Sequence, residues 1–218
     1  MPVEPHTKLL TAAARDVLRP LGLRQKGRSR TWIDDHGWWV GVVEFQPSAW
    51  SKGSYLNVGG MWLWHEQGHH LRFDVGNRVD GAGFIEYQCD EQFAPEARRL
   101  AVLAADQIQR LRATLYDLDT AITWLREHSA GGQGWPGYDL GIALGLSGRH
   151  AEAAACLRRL SHEPGDPAWW QGAVTRAHDL ADLLEQDAGA FRAHIRSAIC
   201  AFRVALKLEP DVAAAVPR

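Results

Sequence analysis

The chain has 218 residues, 24 Lys and Arg against 26 Asp and Glu, a formal net charge of −2, and 46% apolar residues. That length suits one large domain or one domain with a helical appendage, and the near-neutral charge exerts no global pull toward nucleic acid or an anionic bilayer. No apolar run approaches the ~20 residues that cross a membrane, MPVEPHTKLL lacks the apolar centre of a secretory signal, and the cysteines Cys89, Cys156 and Cys200 have neither disulfide nor metal spacing, so the expectation is a cytoplasmic protein with reduced thiols.

From Pro5 to Leu21, the residues Leu9, Leu10, Ala13, Ala14, Val17 and Leu18 recur on one face of a helix. Thr7 is placed to cap it, and Pro20 and Gly22 to stop it. A helix ahead of a sheet normally buries its apolar side against one face of that sheet. LRQKGRSR follows, with Arg24, Lys26, Arg28 and Arg30 at alternate positions that an extended segment would point to one side. Two readings stand: a solvated edge whose charges discourage strand pairing, or a site for an anion or an acidic partner.

Six of the ten tryptophans lie between Arg30 and Trp64: Trp32, Trp38, Trp39, Trp50, Trp62 and Trp64. Thr31–Asp34 reads as a strand, Asp35-His36-Gly37 as a turn, and WWVGVVEFQ as a central strand apolar on both faces at its start. Pro47 ends that ladder because it has no N–H to donate. SAWSKGS is a loop, and Tyr55–His65 the next strand, where Gly59-Gly60 marks a bulge or a close approach.

Leu18 to Gly22, Lys26-Gly27-Arg28, Gln46 to Trp50 and Asn57-Val58-Gly59 occur in an order and spacing that resembles the bacterial domain-of-unknown-function family 4304, over about residues 5 to 125. The resemblance implies an α+β domain and brings neither an activity nor catalytic residues.

His65-Glu66-Gln67-Gly68-His69 spells the zinc-protease pattern His-Glu-x-x-His. That chemistry needs a helix to bring both histidines to one metal. Here the run follows an alternating strand and contains Gly68, so a solvated polar turn is the expectation, with His65 and His69 as weak metal candidates and no cofactor implied. Leu71–Val75 and Phe84–Cys89 are two more strand candidates, giving about five antiparallel strands.

After Pro95, placed as a first helical residue, the pattern is helical throughout. Leu100, Leu103, Ala104, Ile108, Leu111 and Leu115 form one stripe, and Leu118, Ile122 and Leu125 a second. AGGQGWPG has the composition of a linker. The expected organisation is an α+β domain over 1–130, a linker at 131–137 and a helical subdomain over 138–218 packed on the first. That tail resembles tetratricopeptide hairpins: Leu140-Gly141, Leu144, Ala153 and Leu157 flank a Ser147-Gly148-Arg149 turn, and Ala198, Phe202, Ala205 and Pro210 repeat the second-helix pattern. Generic antiparallel helices are the alternative. Trp169-Trp170 is a candidate anchor for the tail.

No catalytic residues emerge. Ser48 has no nucleophile elbow, and Cys89 sits beside two acids that disfavour a thiolate. The expectation is a non-catalytic protein-binding module of the accessory or toxin-neutralising type that docks a partner on the tryptophan-rich sheet or in the cleft between it and the helical tail, with Arg28, Arg30 and Trp50 as anchors and neither nucleic acid nor membrane as partner. The alternative is a small-ligand binder or enzyme using Lys26, Arg28, Gln46, Ser48 and Asn57 as polar groups at one end of the sheet.

Overall fold

The structure is a computed structural model that describes residues 4–65, 70–129 and 134–209. It is an α+β protein: an N-terminal helix, an antiparallel sheet, then helices. The described residues divide into two compact units, 4–62 with 70–113, and 63–65 with 114–209.

In the first unit, α1 (Pro5–Leu18) buries Leu10, Ala14 and Leu18. It begins one turn earlier than a Thr7 cap would allow. Pro5 takes the first turn, where a missing N–H costs nothing, and the Thr7 N–H bonds the Glu4 carbonyl at 3.0 Å. A 3-10 turn through Pro20 then ends at Gly22, whose φ of 92° few other residues adopt readily.

The sheet is a meander of β1 (Arg24–Gln25), β2 (Thr31–Asp35), β3 (Trp39–Gln46), β4 (Gly53–Trp62) and β5 (Val75–Arg78), each antiparallel to the next. A sixth strand, β6 (Ile85–Glu86), pairs with the start of β4. β3 is central and buried from Trp39 through Val43. The expected strand at Leu71–Val75 begins instead at Val75. Asp74 turns its carboxylate onto the Trp62 N–H at 2.8 Å, which occupies that backbone donor before the ladder starts.

A long helix, α2 (Asp90–Thr114), buries Phe93, Ala97, Leu100, Ala104, Ile108 and Leu111. It starts before Pro95 because the Phe93 N–H bonds the Cys89 carbonyl and the Phe93 ring is fully buried. Gly41 of β3 is where this helix meets the sheet: a Cβ there would lie 3.0 Å from Ile108 Cδ1 and 2.9 Å from Asp34 Cβ.

The second unit holds α3 (Leu118–His128), α4 (Gly134–Leu146), α5 (His150–Arg158), α6 (Ala168–Gln186) and α7 (Ala188–Ala205). Asp117 and Thr120 cap α3 reciprocally. Residues 134–137, expected in the linker, open α4 instead, because Pro136 is tolerated in a first helical turn; residues 131–133 lie outside those described. From Gly137 onward every residue of α4 is buried, as befits a helix apolar on all sides. Successive helices pack on one another, and α4 also touches α7. Pro210 lies outside the described residues.

Candidate functional site

Two adjoining clefts run along α1, where it faces β1 and the β1–β2 turn. One, of about 480 Å³, is lined by Thr7, Lys8, Thr11, Ala12, Arg15, Gln25, Gly27 and Arg28. The other, of about 410 Å³, shares Arg15 and Gln25 and adds Arg19, Arg24 and Trp32. Five cations line the pair, and neither lining contains an acidic residue. Lys8, Arg15 and Arg19 are exposed and fall at i, i+7 and i+11 of one helical stripe. Arg24 and Arg28 approach from the hairpin opposite. Arg24 has a carboxylate within reach, Asp35 at 3.9 Å, a distance that leaves the guanidinium largely in solvent. No side-chain ion pair engages Lys8, Arg15, Arg19 or Arg28 among the described residues.

The alternating basic run does not extend along one strand. β1 ends at Gln25, and Lys26–Ser29 form a turn closed by the Ser29 N–H on the Lys26 carbonyl, with Gly27 at φ 57°. This turns Arg28 outward and Arg30 inward. Arg30 donates to the Gly53 carbonyl at 3.1 Å, to His6 Nε2 at 2.7 Å and to the Thr7 hydroxyl. It tethers α1 to the start of β4 and is spent on structure.

Gln46 and Asn57 do come together. Asn57 Nδ2 donates to Glu44 Oε2 and Gln46 Oε1, both at 2.9 Å. Arg78 Nη2 donates to Gln46 Oε1 at 2.8 Å, and its guanidinium lies 3.9 Å over the Tyr55 ring. Cross-strand pairing of Glu44 with Asn57 and of Asn57 with Arg78 places them on one sheet face. Sequence reading missed Glu44 and Arg78 as members, because register decides which residues oppose one another. Ser48 serves its own turn, its hydroxyl accepting from the Trp50 N–H at 3.1 Å. That turn holds the Trp50 indole in solvent, 95% exposed. The loop carrying it joins the α1 end of the unit: Lys52 pairs with Glu4 at 3.1 Å, and Gly53 takes Arg30.

His65 is buried rather than set in a solvated turn. Asp139 Oδ1 accepts from Trp64 Nε1 at 2.8 Å and lies 2.6 Å from His65 Nε2. Both His65 and Asp139 are nearly inaccessible, and Trp135 and Tyr138 pack on the imidazole. A distant carboxylate absorbs the ring nitrogen that the motif offered to a metal. His69 lies outside the described residues, among which no three His, Cys, Asp or Glu side chains cluster to hold a metal ion. Trp169 and Trp170 pack on Trp135 within this same unit. The Asp34 carboxylate is taken up by Arg112.

No protein-family model, curated protein or solved structure matches the chain. The site is therefore defined by its own geometry. Sequence reading found Arg24 and Arg28 but missed Lys8, Arg15 and Arg19. Their helical spacing on the polar side of α1 was the available signal.

Proposed function

We propose that this chain is a non-catalytic protein-binding module of the accessory or toxin-neutralising type, docking through the surface where α1, the β1–β2 turn and the Trp50 loop meet. The observation behind this reading is a cleft lined by cations along α1, together with a solvent-facing indole on the loop that Lys52 and Gly53 tie to Glu4 and Arg30 in the same unit. Trp and Arg are the side chains that most often carry binding energy at interfaces, through large rigid area and planar hydrogen-bonding capacity. The class of partner follows by analogy with small α+β proteins that act by recognition. The tetratricopeptide-like reading of the helical tail belongs to the same proposal and adds a second scaffold suited to recognition.

The alternative places a small-ligand site at Glu44, Gln46, Asn57 and Arg78. These groups already satisfy one another, so a ligand would have to replace hydrogen bonds rather than find donors waiting. The cation-lined cleft carries no such cost.

The test replaces Ala12 or Trp50 of the full chain with a photoreactive phenylalanine and cross-links in the native host. A discrete protein adduct from these positions, lost when Arg28→Ala and Arg15→Ala are added with the thermal midpoint unchanged, is expected. Adducts that persist unchanged in that variant, or none at either position, would sink the reading.

A further inference from the structure

We infer, resting on the binding reading above, that the joined cleft along α1 receives an extended acidic segment of a partner polypeptide, with carboxylates at alternate positions. The lining sets the chemistry. Lys8, Arg15, Arg19, Arg24 and Arg28 all face it, its neutral members Thr7 and Thr11 carry hydroxyls that can donate to a carboxylate or a peptide carbonyl, and the Gln25 amide, which spends one N–H on the Ser29 carbonyl at 2.7 Å, keeps a second. The nearby acids are Glu4, one turn before Lys8 and paired with Lys52 at 3.1 Å, Asp16, which follows Arg15 on α1 without lining either cleft, and Asp35 beyond Arg24. A chain with net charge −2 has concentrated positive charge in one place.

Dimensions set the form of the occupant. Lys8 and Arg19 are eleven residues apart on the helix, a span of about 16 Å at 1.5 Å per residue. An extended segment of about five residues has that length at roughly 3.3 Å each. Arg15 and Arg19 are about 6 Å apart along the axis. Side chains two apart in an extended strand are separated by about 6.7 Å, so a Glu-x-Glu step offers one carboxylate to each. Arg24 and Arg28, on the hairpin side, face the opposite edge of the same segment. The near-neutral chain supplies no wider positive field to draw a nucleic-acid backbone, so the oligonucleotide serves as the competing probe.

The experiment uses the full chain and three fluorescein-labelled probes in low salt: a nonapeptide with glutamates at alternate positions, its glutamine counterpart, and a ten-nucleotide single-stranded thymidylate. Fluorescence anisotropy should show the glutamate peptide bound, the glutamine peptide and the oligonucleotide bound at least about tenfold more weakly, and affinity falling as salt screens the row. The variant with Arg15→Glu and Arg28→Glu should lose roughly tenfold or more, as expected when two exposed charge contacts are reversed in sign, with urea unfolding unchanged. Glutamate peptide binding that equals the glutamine control, survives the double reversal, or falls below that of the oligonucleotide overturns the inference. The cross-linking above separates the two failures: a partner adduct mapped from position 12 to a non-acidic segment overturns the acidic occupant and leaves the binding module standing, whereas absence of any adduct removes the module itself.

Discussion

Asp34 of β2 and Arg112 near the end of α2 form a two-point ion pair, Nη2 to Oδ1 at 2.6 Å and Nε to Oδ2 at 2.8 Å. Arg112 also donates to the Leu21 carbonyl at 2.7 Å, and His36 Nε2 lies 2.7 Å from Asp34 Oδ2. One guanidinium thus ties the helix to the strand and to the end of the α1 turn. Burial would raise the Asp34 carboxyl, but the hydrogen bonds from Arg112 and then His36 outweigh it and hold it below the ordinary carboxylate range. Arg112→Met leaves a buried carboxylate with reduced compensation and should cost about 2–3 kcal/mol at neutral pH by urea denaturation, below the full loss of a wholly buried pair because Arg112 is partly solvated. The sign with pH follows from the depressed folded value. Stability from this pair is full above the ordinary carboxylate range and fades as pH falls through it toward the folded value. The Arg112→Met chain should therefore show a flatter acid limb, and an unchanged limb would remove Asp34 from the account.

Asp139 is the hub of the second unit's buried polar network, since a single oxygen serves both Trp64 and His65. Asp139→Ala leaves the indole N–H and an imidazole nitrogen without that partner in a dry site and should cost about 2–4 kcal/mol. Asp139→Asn keeps an accepting oxygen at the same place and should cost about 1 kcal/mol. Thermal melts of the two variants compare them directly. Equal losses would mean that shape, rather than hydrogen bonding, fixes this position.

Much of the sheet was legible because its signals are local. Alternation set the strands, Gly37 at φ 84° made the β2–β3 turn, and Pro47 ended β3. The stripe on α1 named Leu10, Ala14 and Leu18 correctly. What escaped depended on partners distant in sequence. Arg112 meets Asp34 across 78 positions and His65 meets Asp139 across 74, and no spacing rule reports such pairs. Arg30 was grouped with its basic neighbours because the Gly27 turn that reverses its direction is a matter of backbone angle. Half of the cation-lined cleft was missed for the same reason: the opposing wall is built by α1, read only for its apolar side.

Gly141 and Gly145 lie one turn apart on α4 and admit different neighbours. A Cβ at Gly141 would lie 2.6 Å from the Leu157 side chain, and one at Gly145 would lie 2.6 and 2.7 Å from Phe191 ring atoms. Alanine improves intrinsic helix propensity by about 1 kcal/mol, so any loss must come from packing. Gly145→Ala should nonetheless destabilise by about 1–2 kcal/mol, because a fully buried ring has to move. Adding Phe191→Leu should recover part of that loss in a double-mutant cycle. Simple additivity would show that the ring and the glycine do not meet.

Arg28 and Arg30 stand two residues apart and should behave oppositely. Arg30 can only donate hydrogen bonds, so His6 Nε2, 2.7 Å away, must accept, which places the proton on Nδ1 and leaves the ring neutral. Nδ1 is buried without a partner among the described residues. Burial first, and then the charge of Arg30, lower the His6 pKa from its ordinary value. With the folded value below the unfolded one, this site's contribution is full above the ordinary histidine range and is lost as pH falls through it toward the folded value. Arg30→Leu removes the bonds to Thr7 and Gly53 as well, and should cost about 1–3 kcal/mol, while the His6 titration followed by NMR moves upward. Arg28→Leu should change stability by less than about 0.5 kcal/mol, as expected of an exposed side chain, yet weaken the acidic probe. A stability loss in Arg28→Leu matching that in Arg30→Leu would erase the division between tether and docking cation.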